Sequence, residues 1–106
     1  MAEEIIRGEL LKKLQREIPH GIAVKVNHWK ETNKEVEIKA DIFVEKPSHK
    51  PIVVGKRGAM LKDIGIRSRL QIEDVTGKHV KLYTHVFVRE GWKNKKDVLE
   101  SLGYTR

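Results

Sequence analysis

Apolar residues at the start of the chain recur every three or four positions, which is the spacing of an amphipathic α-helix. From Ala2 to Glu17 this pattern predicts one helix. Its apolar face consists of Ile6, Leu10, Leu11, Leu14 and Ile18. We expect Pro19 to end the helix, because proline disfavours the helical conformation of the residue before it and cannot donate a backbone hydrogen bond.

Strict alternation of apolar and polar residues in the next part of the chain predicts two β-strands. The first, from Gly21 to Trp29, has Ile22, Val24 and Val26 on one face. The second has the most regular alternation in the sequence, and its apolar residues are Val36, Ile38, Ala40, Ile42 and Val44. A polar stretch at positions 30–34 separates the two runs, so we expect them to form a hairpin.

The short apolar run Ile52-Val53-Val54 has no readable periodicity. Its β-branched residues favour a strand, whereas Ser48 can cap a helix and Pro51 is tolerated in the first turn of one. The pattern by itself leaves both structures open.

A longer helix is predicted in the middle of the chain, and it should end near Gly77, since glycine favours the conformation that terminates helices. One face carries Leu61, Ile64, Gly65, Ser68, Ile72 and Val75. Gly65 and Ser68 are small enough to let this helix approach the sheet closely. A glycine inside a helix costs about 1 kcal/mol relative to alanine, so a bend or break at Gly65 is the alternative. Ile66 and Leu70 lie off this face, and we expect them to pack against the first helix rather than to contact a partner.

Alternation returns from Val80 to Arg89 and predicts a third strand. From Asn94 to Leu102 the pattern predicts a short terminal helix that ends at Gly103. A strand that follows a helical crossover runs parallel to the strand before it, if the two are neighbours. We therefore expect an α+β fold with a three-stranded mixed sheet and helices on one face, as a single domain over residues 1–106.

Two glycines bracket two cations in Gly55-Lys56-Arg57-Gly58, which we call the basic turn. Glycine reaches backbone angles closed to other residues and has no side chain, so such a turn can lie directly against the backbone of another polymer. The helix predicted after it would direct the free N–H groups of its first turn towards the same place, where they attract an anion. A charged surface turn is the simpler interpretation of so short a motif.

The distribution of charge favours the interpretation as a phosphate-binding turn. The chain has a formal net charge of +7 and a pI near 9.7. The segment from Lys46 to Arg69 contains seven cations and a single carboxylate, Asp63, which is a balance of +6. Nearly all of the excess positive charge therefore lies around the basic turn, as in surfaces that bind nucleic acid.

The composition and motifs of the chain argue against several other classes of protein. The chain has no cysteine, which excludes disulfides and thiolate metal sites. No apolar run approaches the roughly 20 residues of a membrane span, and the N-terminus is acidic where a signal peptide would be basic, so we expect a cytosolic protein. The five histidines are scattered without ligand spacing, and no nucleophile motif accompanies them, so we expect no catalytic activity.

The run Ile52-Val53-Val54-Gly55-Lys56-Arg57-Gly58 lies within an α-β-β-α-α-β order of predicted elements. In both respects the sequence resembles the type II KH domain. More narrowly, it is similar to the carboxy-terminal domain of the Era-type GTPases from Glu4 to Tyr104. The residues that carry this likeness are Glu4-Ile5-Ile6-Arg7, Leu10-Leu11, Glu17-Ile18-Pro19-His20, Ala23-Val24, Met60-Leu61-Lys62, Ile64-Gly65, Arg69, Ile72-Glu73, Val86, Val88, Trp92 and Leu102-Gly103-Tyr104.

The resemblance implies that the run before the basic turn is a short helix. It also implies binding of single-stranded RNA near the 3′ end of small-subunit ribosomal RNA, during assembly of the small ribosomal subunit. Members of this family carry an amino-terminal GTPase domain that binds GTP and Mg²⁺, and they are cytoplasmic with peripheral association at the inner membrane. This sequence contains no Gly-x-x-x-x-Gly-Lys-[Ser/Thr] motif, so we expect no cofactor in this chain and take that GTPase domain as a partner.

By this likeness the basic turn should hold the sugar-phosphate backbone of about four unpaired nucleotides, with their bases over an apolar groove. The expected RNA-binding residues are Gly55, Lys56, Arg57, Gly58, Lys50, Ile52, Val53, Met60, Lys62 and Arg69. Ile52, Val53 and Met60 would form the floor of the groove, with core packing as an equal alternative. Lys50, Lys62 and Arg69 would border it and meet phosphates or base edges.

Other interpretations remain open from the sequence. The chain could be the KH domain of another ribosome-associated protein, or a basic module that binds a membrane surface or an acidic protein. Aromatic residues make up only 6% of the chain and none lies between Pro47 and Arg69, so base stacking on aromatic rings is less suited to this segment. Tyr83, His85 and Phe87 would form a separate surface on the open face of the sheet, for which packing or a domain interface is the simpler role.

Overall fold

The computed structural model describes residues 1–18 and 21–89. The elements are α1 (Ala2–Leu14), β1 (Ile22–Glu31), β2 (Glu35–Val44), α2 (His49–Val54), a 3-10 turn (Lys56–Gly58), α3 (Ala59–Thr76) and β3 (His79–Val88). The predicted order of elements is confirmed, and the run before the basic turn is helical, as the resemblance implies. The predicted helix from Asn94 to Leu102 lies outside the described residues.

Strand β2 is the centre of a three-stranded sheet with the order β1-β2-β3. β1 and β2 are antiparallel, from Ile22 opposite Val44 to Glu31 opposite Val36. β2 and β3 are parallel along their whole length. The predicted mixed sheet is therefore confirmed, and the parallel pair makes the segment from α2 to α3 a crossover between neighbouring strands.

The hydrophobic core lies between the helices and one face of the sheet. The apolar residues of β2 that alternate along the strand are completely buried, and they are Val36, Ile38, Ala40, Ile42 and Val44. The helices and the chain after α1 cover them with Ile6, Leu10, Leu14, Ile18, Ile64 and Ile72. Each such side chain contributes about 1.5–3 kcal/mol by leaving water, so this layer supplies the main stabilisation of the fold.

Helix α1 ends at Leu14, one turn earlier than the predicted end at Glu17. The chain continues in hydrogen-bonded turns, in which the N–H of Ile18 donates to the carbonyl of Leu14 at 2.8 Å. These turns carry Ile18 into the core. The apolar spacing therefore stays helical to residue 18, although the regular helix does not.

Helix α3 is continuous through Gly65 and ends before Gly77, whose φ of +69° is left-handed. The predicted end is confirmed, and the predicted bend or break at Gly65 is absent. Ser68 is completely buried. A Cβ atom at Gly65 would meet no atom within 4 Å, so the prediction that Gly65 allows close packing on the sheet is wrong.

Three apolar residues of α3 are exposed, contrary to prediction. Val75 is 63% exposed, and Ile66 and Leu70 are 42% and 52% exposed. The buried residues Ile64 and Ile72 are spaced by multiples of four, whereas Val75 follows Ile72 by three and is rotated about 60° away from their line. Only the residues on that narrow line pack against the core. The wider apolar face predicted from the sequence is therefore only partly buried.

The contacts of α1 with α3 around Leu70 are partly polar, whereas Ile66 faces the other side of α3, towards β3. Glu9, nearly completely buried on α1, accepts hydrogen bonds from Lys12 and from Gln71 of α3. Lys13 forms an ion pair with Asp63 at 3.4 Å. These polar interactions join the two helices beside Leu70, which stays 52% exposed.

Glu73 connects the end of α3 to the start of β3. Its Oε2 atom accepts hydrogen bonds from the N–H of Val80 and from Nη1 of Arg69, both at 2.9 Å. His79 Nδ1 lies 3.4 Å from the same oxygen. The hydrogen bond from Val80, together with those charges and against a smaller effect of desolvation, lowers the pKa of Glu73 below its ordinary value of 4.5.

Replacement of Ile72 by Ala should lower the free energy of unfolding by about 2–5 kcal/mol, because it removes a completely buried side chain and leaves a cavity. The matched control is Val75→Ala on the same helix, which should change that free energy by no more than about 0.5 kcal/mol. Urea unfolding measures both. Equal losses for the two variants would mean that the core-facing line of α3 is wrongly assigned.

The lowered pKa of Glu73 makes a prediction about acid stability. A carboxyl group whose folded pKa is depressed stabilises the fold above its unfolded pKa, and this stabilisation is lost as the pH falls through the folded pKa. Glu73→Gln should therefore reduce stability near about pH 7, and its difference from the parent chain should shrink below about pH 4.5. Thermal unfolding over this range is the measurement.

The matched control is Asp74→Asn, since Asp74 is the neighbouring exposed carboxylate and makes no hydrogen bond or ion pair with any described residue. Its effect should be small at every pH. A deficit of Glu73→Gln that is independent of pH would show that its carboxylate charge is not what stabilises the junction of α3 and β3.

Candidate nucleic-acid interface

The basic turn reverses the chain sharply between α2 and α3. Gly55 and Gly58 have φ values of +76° and +77°, and Arg57 between them has φ +56° and ψ +28°. The N–H of Gly58 donates to the carbonyl of Gly55 at 3.1 Å and closes the turn. Arg57 is the one non-glycine residue with a positive φ among the described residues. A left-handed backbone angle costs such a residue about 1–2 kcal/mol, and strain of this kind is concentrated at functional sites.

Gly55 is required by the packing of the protein itself. A Cβ atom at this position would lie 2.6 Å from Cβ of Met60 and 2.8 Å from its backbone nitrogen, closer than atoms can approach. At Gly58 the same atom would meet nothing within 4 Å, so only its left-handed angle favours glycine there. The turn is therefore tight at its first glycine and open at its second.

Unpaired positive charge surrounds this turn. Lys56 and Arg57 are exposed on it, Lys50 is exposed on α2 and Lys62 on the first turn of α3. None of the four forms a hydrogen bond or ion pair with another residue in the ranges 1–18 and 21–89. Gly58 precedes α3 and offers no side chain to cap its N-terminus. Free cations beside an uncapped helix N-terminus favour the binding of a phosphate.

Cations farther along α3 are neutralised within the protein. Arg67 pairs with Asp63 at 3.2 Å, and Arg69 pairs with Glu73 at 2.9 Å. The positive charge that is free to meet a ligand is therefore concentrated at the start of α3 and on the basic turn.

A groove of about 390 Å³ begins at the basic turn and lies between α3 and β3. Its lining residues are Gly58, Leu61, Lys62, Gly65, Ile66 and Arg69 from the turn and α3, and Leu82 and Thr84 from β3. Its apolar side chains are aliphatic, and its polar side chains are those of Lys62, Arg69 and Thr84. Concave sites of this composition, mostly apolar with a few convergent polar groups, are typical of ligand binding.

Three of the residues predicted to bind RNA meet in this groove, namely Gly58, Lys62 and Arg69. The rest of the basic turn lies at its end. Lys50 is exposed on α2 and does not line the groove. The predicted residues thus form two adjoining parts, a cationic turn and one wall of a groove.

The three residues predicted to form the floor of the groove lie outside it. Val53 is completely buried, so core packing, the alternative left open above, is its role in the structure. Ile52 and Met60 are half-buried, pack against the same core cluster and do not line the groove. Helix α2 turns its apolar side towards the core, whereas the groove is formed by the other helix.

Five lining residues were not predicted to bind, and they are Leu61, Gly65, Ile66, Leu82 and Thr84. The lining positions on α3 follow Gly58 at helical spacing, so a helical wheel drawn from the second glycine would have indicated the first three. No short-range pattern shows that Leu82 and Thr84 lie opposite them, since that depends on how β3 joins the sheet.

The open face of the sheet carries the aromatic residues of β3. Phe87 stacks on Phe43 with ring centroids 5.7 Å apart, and the guanidinium of Arg89 lies 5.6 Å from the centre of the Phe43 ring. Tyr83 and Phe87 remain exposed. This surface lies on the side of the sheet away from the helices, and its role stays a prediction.

In the part of the chain that the structure describes, no group of three or more histidine or acidic side chains is arranged to hold a metal ion. Across those same residues, every helix is too short or too polar to cross a membrane.

A sequence profile of the KH domain matches residues 17–93. The chain is 45% identical over 105 residues to GTPase Era of Nitratidesulfovibrio vulgaris, covering 97% of this chain and 34% of that protein. It is 48% identical over 103 residues to GTPase Era of Caldanaerobacter subterraneus, covering 95% and 35%. The chain thus spans about a third of the length of the curated relatives it matches.

Solved structures of Era have the same fold. A variant of Aquifex aeolicus Era bound to GDP and AlF4⁻ superposes with a TM-score of 0.90 at 34% identity, covering 99% of this chain and 36% of that one. Era in complex with MgGDPNP and nucleotides 1506–1542 of 16S ribosomal RNA superposes with a TM-score of 0.91, with the same identity and coverage. Because the profile match spans more than half of the chain and the fold is that of these KH domains, the chain belongs to the KH domain family, in its type II form.

Proposed function

We propose that this chain binds single-stranded RNA at the 3′ end of small-subunit ribosomal RNA and acts in small ribosomal subunit assembly. The observation that carries the proposal is the position of four unpaired cations around a strained Gly-x-x-Gly turn, at the end of an apolar groove. The Era complex that superposes on this chain contains nucleotides 1506–1542 of 16S ribosomal RNA, which supports this class of RNA.

The basic turn would hold the sugar-phosphate backbone. Gly55 and Gly58 leave the peptide backbone open to close approach, and Lys56 and Arg57 supply charge without first breaking an internal ion pair. Contacts of this kind position the RNA and do not depend on its sequence. Because these are contacts between cations and phosphates, the affinity for RNA should decrease as the salt concentration rises.

The groove would receive unpaired bases against Leu61, Ile66 and Leu82. Its charged polar groups, Lys62 and Arg69, are only hydrogen-bond donors, so they suit acceptor atoms on base edges. Arg69 uses one N–H group on Glu73 and makes no other hydrogen bond to a described residue. Glu73 thus holds the guanidinium in place while most of its donors stay available.

We further propose that the chain functions as a single RNA-binding domain of a longer GTPase. The relatives named above are GTPases about three times its length. GTP and Mg²⁺ would bind to their GTPase domain, and the present chain would be non-catalytic. Such a protein would be cytoplasmic, and the same cationic surface is suited to peripheral contact with an anionic inner membrane.

The charge of the basic turn can be tested with Lys56→Asp combined with Arg57→Asp. Affinity for an RNA of nucleotides 1506–1542 should fall, and the slope of log affinity against log salt should flatten by about 1.4, two phosphate contacts at about 0.7 each. Fluorescence anisotropy at several salt concentrations gives both quantities.

A control with the same change of net charge is Lys30→Asp combined with Lys34→Asp, near the turn between β1 and β2 at the opposite end of the sheet. It should change the salt slope much less. If affinity survives the change in the basic turn, or if both pairs act equally, the turn is not the phosphate site.

The groove can be tested with two exposed apolar residues one turn apart on α3. Ile66 lines the groove and Leu70 does not. Ile66→Ser should weaken RNA binding by about tenfold through the loss of an apolar base contact, with no change in salt slope. Leu70→Ser should bind RNA as the parent chain does.

Both side chains are substantially exposed, so both variants should keep the fold, which circular dichroism can confirm. Equal affinities for the two variants would indicate that the bases do not occupy the groove.

A further inference from the structure

Helix α3 contains a glycine that the fold does not need. Gly65 lies in the middle of a continuous helix with ordinary helical angles, where glycine is less stable than alanine. A side chain there would meet no atom of the described protein within 4 Å. The contrast is Gly55, where both a left-handed φ and contact with Met60 require glycine.

The lack of a side chain at Gly65 matters because of where this residue lies. It lines the groove between β3 and α3, one turn after Leu61 and one turn before Arg69. Without a Cβ atom, the backbone of α3 is accessible from the groove at this point. Leu61 and Ile66 flank it with apolar surface, and Arg69 supplies unpaired donors.

A helical glycine without internal contacts is not by itself a binding site. Gly8 in α1 also has no atom within 4 Å of its missing side chain, yet it lies outside the groove. What distinguishes Gly65 is its place in a groove that starts at unpaired cations and contains an arginine with free donors.

We propose that Gly65 is the point where an unpaired nucleobase packs flat against the backbone of α3, with its edge towards Arg69 and Lys62. Any side chain at this position would occupy the volume of the base. This inference rests on the proposed function and adds the residue that sets how closely a base approaches the helix. The basic turn then fixes the phosphates, and Gly65 fixes the depth of the base.

The experiment compares Gly65→Ala with the control Gly8→Ala in the 106-residue chain. Both substitutions improve helix propensity and meet no clash, so each should raise the melting temperature, by about 2–8 °C. With an RNA of nucleotides 1506–1542 as the probe, Gly65→Ala should weaken binding by about tenfold, and Gly8→Ala should leave it unchanged.

The salt dependence separates this effect from that of the basic turn. Gly65→Ala removes no charge, so the slope of log affinity against log salt should equal that of the parent chain. A larger side chain should act more strongly, and Gly65→Leu is expected to weaken binding further. A loss of affinity in a variant of raised melting temperature cannot come from unfolding.

The outcomes distinguish the inference from the function on which it rests. If the parent chain binds the RNA and Gly65→Ala binds it equally well, or if Gly8→Ala loses as much affinity, the inference is wrong and the proposed function stands. Recovery of affinity in Gly65→Leu would also overturn it. If the parent chain itself does not bind the RNA, the proposed function fails first.

Discussion

The parallel pairing of β2 with β3 is the constraint on which the site depends. Two parallel neighbours cannot be joined by a hairpin, so the chain must return from the end of β2 to the start of β3 through a crossover. Here the crossover consists of α2, the basic turn and α3. Because α3 must span the length of the sheet, it lies against β3, and the space between them becomes the groove. The turn lies at the beginning of α3, so cations and groove are adjacent.

Two carboxylates of α3 complete contacts within the protein. Asp63 neutralises Lys13 and Arg67, and Glu73 joins α3 to β3 while it holds Arg69. No described carboxylate pairs with the cations of the basic turn. The charge balance of +6 over Lys46 to Arg69 does not show how the charge is distributed. The unpaired cations lie around the basic turn, whereas the paired ones, Arg67 and Arg69, lie farther along α3.

The sequence predicted those features that depend on neighbours along the chain. The alternation of β2, the end of α3 at Gly77 and the glycine-bracketed turn each follow from local backbone preferences. The exposure of Val75 and Leu70 could not be predicted from the sequence. Apolar spacing shows which residues are able to be buried, but not how much of the helix surface the neighbouring elements cover. Propensity also left residues 52–54 undecided, and the structure makes them a helix whose Val53 is in the core. Leu82 joins the groove only through the order of strands, which no local pattern contains.

The two parts of the site would contribute differently to recognition. Phosphate contacts at the basic turn would be independent of the RNA sequence and weakened by salt, so they would contribute to affinity more than to sequence specificity. The groove is lined by aliphatic residues and by donors, and it can receive a base only if that base is unpaired. A base paired in a duplex turns its edge to its partner and cannot reach α3. In the proposed mode of binding, selection for single strands would therefore arise from the accessibility of the base rather than from charge, and direct contact of the base with the backbone of α3 would make that selection steric. A groove without aromatic rings has little stacking surface to compensate for a poor fit.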